Sequence, residues 1–223
     1  MVRSPRARGP QRQAARNDQA LLRAAREVVA EDGAHASVAA IARRAGVGVG
    51  SLYRRYRSKV ELFQHLSAVA LDEYLRAAEE GLRMDDPWDG LAHYLSSAVE
   101  SGSGSLGPMA GEIEVTEEMD RKNRRSDEAV DALVERAHAA GVLRADVTTV
   151  DLSLLIEQLR TSPLIEQLRQ QGHTDLLTAA ASARSRLVAI ALDGLRAGAP
   201  APLPGDPPNY DLISKRWEGW SGS

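Results

Sequence analysis

Between Ala45 and Lys59 the chain reads AGVGVGSLYRRYRSK, so Gly46, Gly48 and Gly50 run directly into Tyr53, Arg54, Arg55, Tyr56, Arg57 and Lys59. Two chemistries fit such a cluster. Glycines that open a helix bare its backbone N–H groups, and nucleotide-binding enzymes use these to cradle phosphate. Alternatively, the glycines form a tight turn that delivers a short basic helix to nucleic acid. The phosphate cradle needs a buried strand ahead of the glycines, GxGxxG spacing and an acidic residue about 20 residues further on. Here SVAAIARRA, residues 37–45, lacks the bulky apolar run of a central strand, and the spacing is GxGxG. The basic helix is the better fit.

Little else in the sequence suggests catalysis. His35, His65, His93, His138 and His173 fall in no HxxxH or HExxH spacing, and no serine sits in GxSxG. Zero cysteines exclude disulfides, thiolate nucleophiles and cysteine-bearing metal sites. The acidic run EIEVTEEMD, residues 112–120, offers either metal ligands or a solvated helix face, and the latter is the simpler reading. The chain therefore reads as a non-enzyme with no cofactor and no metal.

Charge is distributed unevenly. Residues 1–66 carry 13 lysines and arginines against 5 acids, and the rest of the chain carries 15 against 26. A basic head on an acidic body suggests that only the head meets a polyanion, although Arg3, Arg6, Arg8, Arg12 and Arg16 place part of that charge before the first periodic segment. The basic start is not followed by an apolar signal segment, and no apolar run approaches the roughly 18 residues of a membrane span. This reads as a cytoplasmic protein with no membrane partner.

The elements that must position the basic helix follow from apolar spacing. From about Gln13 a helix carries Leu21, Leu22, Ala25, Val28 and Val29 in phase and stops at Gly33. Ser37 can cap a second, short helix that ends at Gly46. A third, GSLYRRY, turns Leu52 and Tyr56 inward and Ser51, Arg54 and Arg55 outward, with Tyr53 and Lys59 as phosphate donors at its flanks. Ser58 caps a longer fourth helix. Arg43, Arg44 and Arg57 read equally well as DNA contacts and as solvated surface.

Beyond Gly81 the pattern stays helical. Pro87 opens one helix; residues 109–140 hold one or two, with a polar kink at DRKNRRSD; Thr148 or Thr149 caps another; and residues 176–195 form a last long one. LIEQLR occurs at 155–160 and again at 164–169, with Pro163 between the copies. No period-two alternation marks a strand, so the expected class is all-α. The expected organisation is a disordered basic arm at 1–16, a helix-turn-helix domain at 17–63, a larger helical body at 64–198, and a proline-rich linker and tail at 199–223 that holds Trp217 and Trp220.

From Asp18 to Phe63 the sequence resembles the tetracycline-repressor (TetR) family of bacterial transcriptional regulators, on LLRAAREVVAEDG followed by SVAAIARRAGVGVGSLYRRYRSKVELF. The resemblance implies a three-helix DNA-binding head joined to a larger helical ligand-binding and dimerisation domain. It places Val49, Gly50, Ser51 and Arg55 where the family's recognition helix meets bases and phosphates. It also matches Tyr53 and Lys59 to phosphate-binding residues, and sets Ser37 near the DNA backbone. Gly48 and Val49 depart from the family, which often has a polar residue at the first position and lysine or glutamine at the second. Readout then leans on Ser51, Arg54, Arg55, backbone amides and a methyl contact from Val49.

The partners implied are double-stranded DNA with a palindromic operator, a second copy of the chain, and a small-molecule effector. The helices at 147–159 and 176–195 are candidates for the dimer interface or for intrachain core. Trp88, His93, Tyr94, Met109 and Met119 fall in the segments that would enclose a pocket, where they would suit an apolar or planar ligand or else serve as plain core. A repressor released by its effector is the first reading. A DNA-binding dimer without an effector, controlled by abundance or by a protein partner, is the second.

Overall fold

The computed structural model of the protein describes residues 8–100, 113–160, 164–198 and 201–215. Among the described residues every regular element is helical, as the apolar periodicity implies, and a lone antiparallel bridge joins Leu143 to Arg196. No helix among them is long and apolar enough to cross a membrane.

Helix α1, Arg8–Asp32, starts before the first apolar residues of its pattern, so residues 8–16 of the expected disordered arm are helical. Gly9 and Pro10 fall in its first turn, where a missing N–H costs nothing because no intrahelical acceptor exists for it. Ser37 caps α2, Val38–Ala45, its hydroxyl accepting from the Ala40 N–H at 3.1 Å. Gly46, at φ 69°, reverses the chain while the N–H groups of Gly46 and Val47 return to the carbonyls of Arg43 and Ala42. The turn leads straight into α3, Val49–Arg55. Ser58 caps α4, Lys59–Leu82, by accepting from the Glu61 N–H at 3.0 Å, and the Glu61 carboxylate accepts from the Arg57 N–H at 2.6 Å. Leu21, Leu22, Val28, Ile41, Leu52, Tyr56, Phe63 and Leu66 close one core around these helices.

Helix α4 continues beyond that core into a second one, so a single rigid element is shared by head and body. The second core joins α4 to α5, Pro87–Glu100, α6, Glu117–Ala139, and α7, Thr149–Arg160. Asp86 starts α5 by accepting from the N–H groups of Trp88 and Asp89, and Thr148 starts α7 in a reciprocal pair with Asp151. The polar stretch DRKNRRSD does not kink the chain; α6 runs through it unbroken. Its Arg121, Arg124 and Arg125 are exposed, Lys122 bridges Asp72 and Glu118, and Asn123 donates to Asp127. The two LIEQLR copies end α7 and form α8, Leu164–Gln170, and Pro163 between them lies outside the described residues.

Where α4 crosses α5, both helices present glycine. A Cβ built on Gly81 would meet the Gly90 carbonyl oxygen at 2.4 Å, and one on Gly90 would meet that of Gly81 at the same distance. The atom in the way is backbone and cannot swing aside. Gly81→Leu is therefore expected to push the helices apart and to cost at least about 1–3 kcal/mol, read as a lower denaturation midpoint. An unchanged midpoint would show that the crossing yields.

The two helices read as candidates for an interface differ. Helix α7 buries Val150, Leu152 and Ile156 inside its own chain, which accords with the intrachain-core alternative for these residues. Helix α9, Leu177–Leu195, buries Ala180, Val188 and Leu195 and leaves Leu187 and Ile190 at 53% and 64% exposure. The chain then returns to the body: Arg144 donates to the Ala201 carbonyl and the Leu203 N–H donates to Asp146. Short helix α10, Asp211–Ser214, follows Tyr210, whose hydroxyl donates to Asp127 at 3.0 Å. The linker and tail are thus structured as far as residue 215; Trp217 and Trp220 lie outside the described residues.

Candidate nucleic-acid interface and a cavity in the body

The outward face of α3 is set by the residues it buries. Leu52 and Tyr56, one turn apart, both face the head core. Burial pushes the Tyr56 phenol up to about 12, so it stays a neutral core aromatic against His65. That orientation leaves Ser51, Tyr53 and Arg54 exposed, Tyr53 at 56%. Gly48 precedes the helix in extended conformation with no side-chain cap, and a Cβ on Gly48 or Gly50 would meet nothing within 4 Å. Packing does not demand glycine at either position. What glycine does there is leave the backbone bare on the outer surface, where another molecule can approach it closely.

This separates fold from function by one substitution. Gly50→Ala is expected to raise stability by about 0.5–1 kcal/mol, because glycine inside a helix costs that much. It is also expected to weaken DNA binding several-fold by adding a methyl where bases or phosphates approach. A thermal melt and a fluorescence-anisotropy titration on a DNA duplex read the two effects; a loss of stability would mean that the site is not open.

The cations of the head sort into two groups. Arg55 Nη2 donates to Asp18 Oδ2 on α1 at 3.2 Å, with Nη1 2.8 Å from Oδ1, and its guanidinium lies 5.1 Å from the Tyr56 ring centroid. Arg44 is held by Glu27 and Glu31 of the same helix. These two arginines brace α3 and α2 against α1, and the Arg55 side chain is still 42% exposed at the outer surface. Arg43, Arg54 and Arg57 are exposed and have no ion-pair partner among the described residues. Lys59 is half-buried with its ammonium 5.8 Å from the Phe63 ring centroid. Val49 is also half-buried and packs on the head core, so it offers less of a methyl surface than expected. Ser37 is exposed, its hydroxyl engaged in the α2 cap.

Between the two cores lies a cavity of about 710 Å³, with walls from α1, α4, α5, α6, α7 and the tail. Tyr94 and Met119 line it, as expected of pocket residues, and deep burial pushes the Tyr94 phenol upward, so it remains neutral. Trp88 and His93 do not line it. Trp88 sits in the body core beneath the Arg196 guanidinium, 4.2 Å from the ring centroid, and His93 Nε2 lies 3.2 Å from Glu80 on the far side of α4. Met109 lies outside the described residues. The remaining lining includes Ala70, Leu71, Tyr74, Val130 and Ile156, with Asp127, Tyr210 and Ile213 on the tail side.

Two lining residues escaped the sequence reading. Arg26 of α1 and Arg160 of α7 are 1% and 2% exposed, and Arg26 is among the largest fully buried side chains. Their signal was available: Arg26 lies four residues after Leu22 and three before Val29, and Arg160 four after Ile156, so each occupies the apolar phase of its helix. Among the described residues no group of three or more potential metal-ligating side chains occurs.

Comparison with known proteins agrees with this architecture. Residues 21–66 match the family described as bacterial regulatory proteins, tetR family, and residues 86–197 match the C-terminal domain described as transcriptional regulator SbtR-like. Among solved structures, a TetR transcription regulatory protein from Mycobacterium vanbaalenii is 22% identical, covering 84% of this chain and 99% of its own, with a TM-score of 0.52. A TetR transcriptional regulator from Streptomyces coelicolor is 22% identical over 82% of this chain and 99% of its own, with a TM-score of 0.50. No curated protein matches the sequence. The head and body matches together assign this chain to the TetR family of bacterial transcriptional regulators.

Proposed function

We propose that the protein is a homodimeric, sequence-specific repressor that leaves a palindromic operator when a small-molecule effector occupies the body cavity. The observation that carries the DNA-binding part is the outer face of α3, where Ser51, Tyr53 and Arg54 stand exposed beside the bare backbone at Gly48 and Gly50. Arg43 and Arg57 are exposed on the elements either side of that helix, and the reading assigns Ser37 and Lys59 to the DNA backbone. One head of this size reads few base pairs, and a two-fold pair reading successive major grooves doubles the contacts. Ala183, Leu187, Ile190 and Gly194 share one exposed stripe of α9, on which a second copy packs closely because two of the four are small.

The cavity supports the effector part, since its size falls within the range of small-molecule sites and it joins the head core to the body core. An effector acts here by binding the DNA-incompetent arrangement more tightly than the competent one. The test is a mobility shift with duplexes flanking the protein's own gene. Binding is expected to prefer particular duplexes and to weaken by about a thousandfold or more between roughly 50 and 200 mM salt. No sequence preference on any flanking duplex would overturn the proposal. A metabolite screen for thermal stabilisation checks the effector, because a ligand of the folded state raises the melting temperature.

A further inference from the structure

One wall of the cavity is supplied by the tail. Tyr210, Ile213 and Ser214 line it, and their i, i+3, i+4 spacing puts all three on one side of a helical turn. The other side faces out: Leu212 is 57% exposed, and Lys215 Nζ pairs with Asp211 at 2.6 Å. Ile213 and Ser214 are half-buried. This wall lies beyond residue 197, where the matched C-terminal domain ends. The cavity keeps its volume of about 710 Å³ with α10 in place, so the segment covers the space without filling it.

The segment is held differently at its two ends. At the near end Arg144 forks onto Asp146, with both N–O distances 2.9 Å, and donates to the Ala201 carbonyl at 2.8 Å. Asp146 also accepts from the Leu203 N–H at 2.7 Å. Arg144, and then the Leu203 N–H, hold the Asp146 carboxyl well below the usual carboxylate range, so the anchor keeps its charge-assisted bonds. At the far end the Tyr210 hydroxyl donates to Asp127 at 3.0 Å. That bond opens at small cost. Tyr210 is 48% exposed and exchanges Asp127 for water, while Asp127 keeps the Asn123 amide at 2.9 Å. Between the ends PGDPPN, residues 204–209, forms no regular element, is mostly exposed and reverses at Gly205, φ 77°. A firm anchor, an exposed stalk and a releasable contact are the parts of a hinged flap.

We infer that residues 203–214 form a gate over the effector site, anchored at Asp146 and latched at Asp127, and that an effector enters and leaves when Tyr210 releases Asp127. This rests on the reading of the cavity as an effector site and adds what controls access to it. Such a latch sets rates rather than affinity. The closed forms with and without ligand share the Tyr210–Asp127 bond, so weakening it raises the open fraction of both and speeds entry and exit alike.

Two measurements on the full-length protein test the gate. The chain has no cysteine, so Ile213→Cys and, separately, Leu212→Cys each introduce a sole thiol, one on the inner and one on the outer side of α10. With an aromatic disulfide reagent the inner thiol is expected to react about tenfold more slowly than the outer one, and adding Tyr210→Phe is expected to narrow that gap. The second measurement is stopped-flow mixing with N-phenylnaphthylamine, a neutral dye that fluoresces in apolar surroundings. Tyr210→Phe is expected to make association and dissociation both about fivefold faster and to change the dissociation constant by less than about twofold, while Leu212→Ala changes neither. Equal thiol rates at the two positions, dye rates that Tyr210→Phe leaves unaltered, or a change in one rate without the other would overturn the gate and leave the cavity standing. A dye signal absent from the parent protein, or undiminished when Val130→Trp fills the cavity, would overturn the effector site and the gate together.

Discussion

Leu187→Glu combined with Ile190→Glu is expected to leave a folded monomer that binds operator at least about a hundredfold more weakly than the parent protein. Both side chains are exposed in the single chain, so replacing them removes little intrachain packing and helicity should persist. Four carboxylates brought together at a two-fold contact would each need desolvation and would repel one another. Loss of the dimer also loses the effective concentration that makes the second head bind once the first has docked. Sedimentation and an anisotropy titration measure the two consequences. A variant that remains dimeric would show that α9 is not the contact, and a monomer with undiminished affinity would show that one head suffices.

Arg54→Ala and Arg55→Ala, adjacent in sequence, are expected to fail in different ways. Arg54 is exposed and has no ion-pair partner among the described residues, so its loss should leave the melting temperature unchanged and weaken DNA binding by about 1–3 kcal/mol. If the contact is to phosphate, the salt dependence should fall by about one ion. Arg55 spends its guanidinium on Asp18 and lies against Tyr56. Its loss should cost about 0.5–1 kcal/mol of stability, the modest value of a partly exposed pair, and should affect DNA through the seating of α3. Equal effects of the two variants on DNA and on melting would remove the distinction.

The head was legible because its signals are local. Ser37, Gly46 and Ser58 sit at helix ends where hydroxyl caps and a left-handed glycine are required, and the structure uses each in that role. Leu52 and Tyr56 fix which side of α3 faces outward by their spacing alone. What could not be read from spacing is where a long cation goes once helices pack. Arg54 and Arg55 look alike in sequence, and only the approach of Asp18, 37 residues earlier, separates them. The cavity was less legible for the same reason. Trp88, His93 and Tyr94 fall in a segment expected to enclose a pocket, but of these only Tyr94 lines it, and the two buried arginines of the lining come from α1 and α7, far apart in sequence. The tail carried no periodic signal, yet hydrogen bonds from Arg144 to Ala201, from Leu203 to Asp146 and from Tyr210 to Asp127 bring it back to the body.

The central claim is that two copies of the α3 face read DNA, and selection of bound duplexes from a random pool tests it most directly. The parent protein should enrich a palindrome whose half-sites are spaced to suit two symmetric heads, and the variant with Tyr53→Phe and Arg54→Ala should lose that enrichment while melting at the parent temperature. Enrichment of no sequence by the parent, or the same palindrome recovered undiminished by the variant, would contradict it.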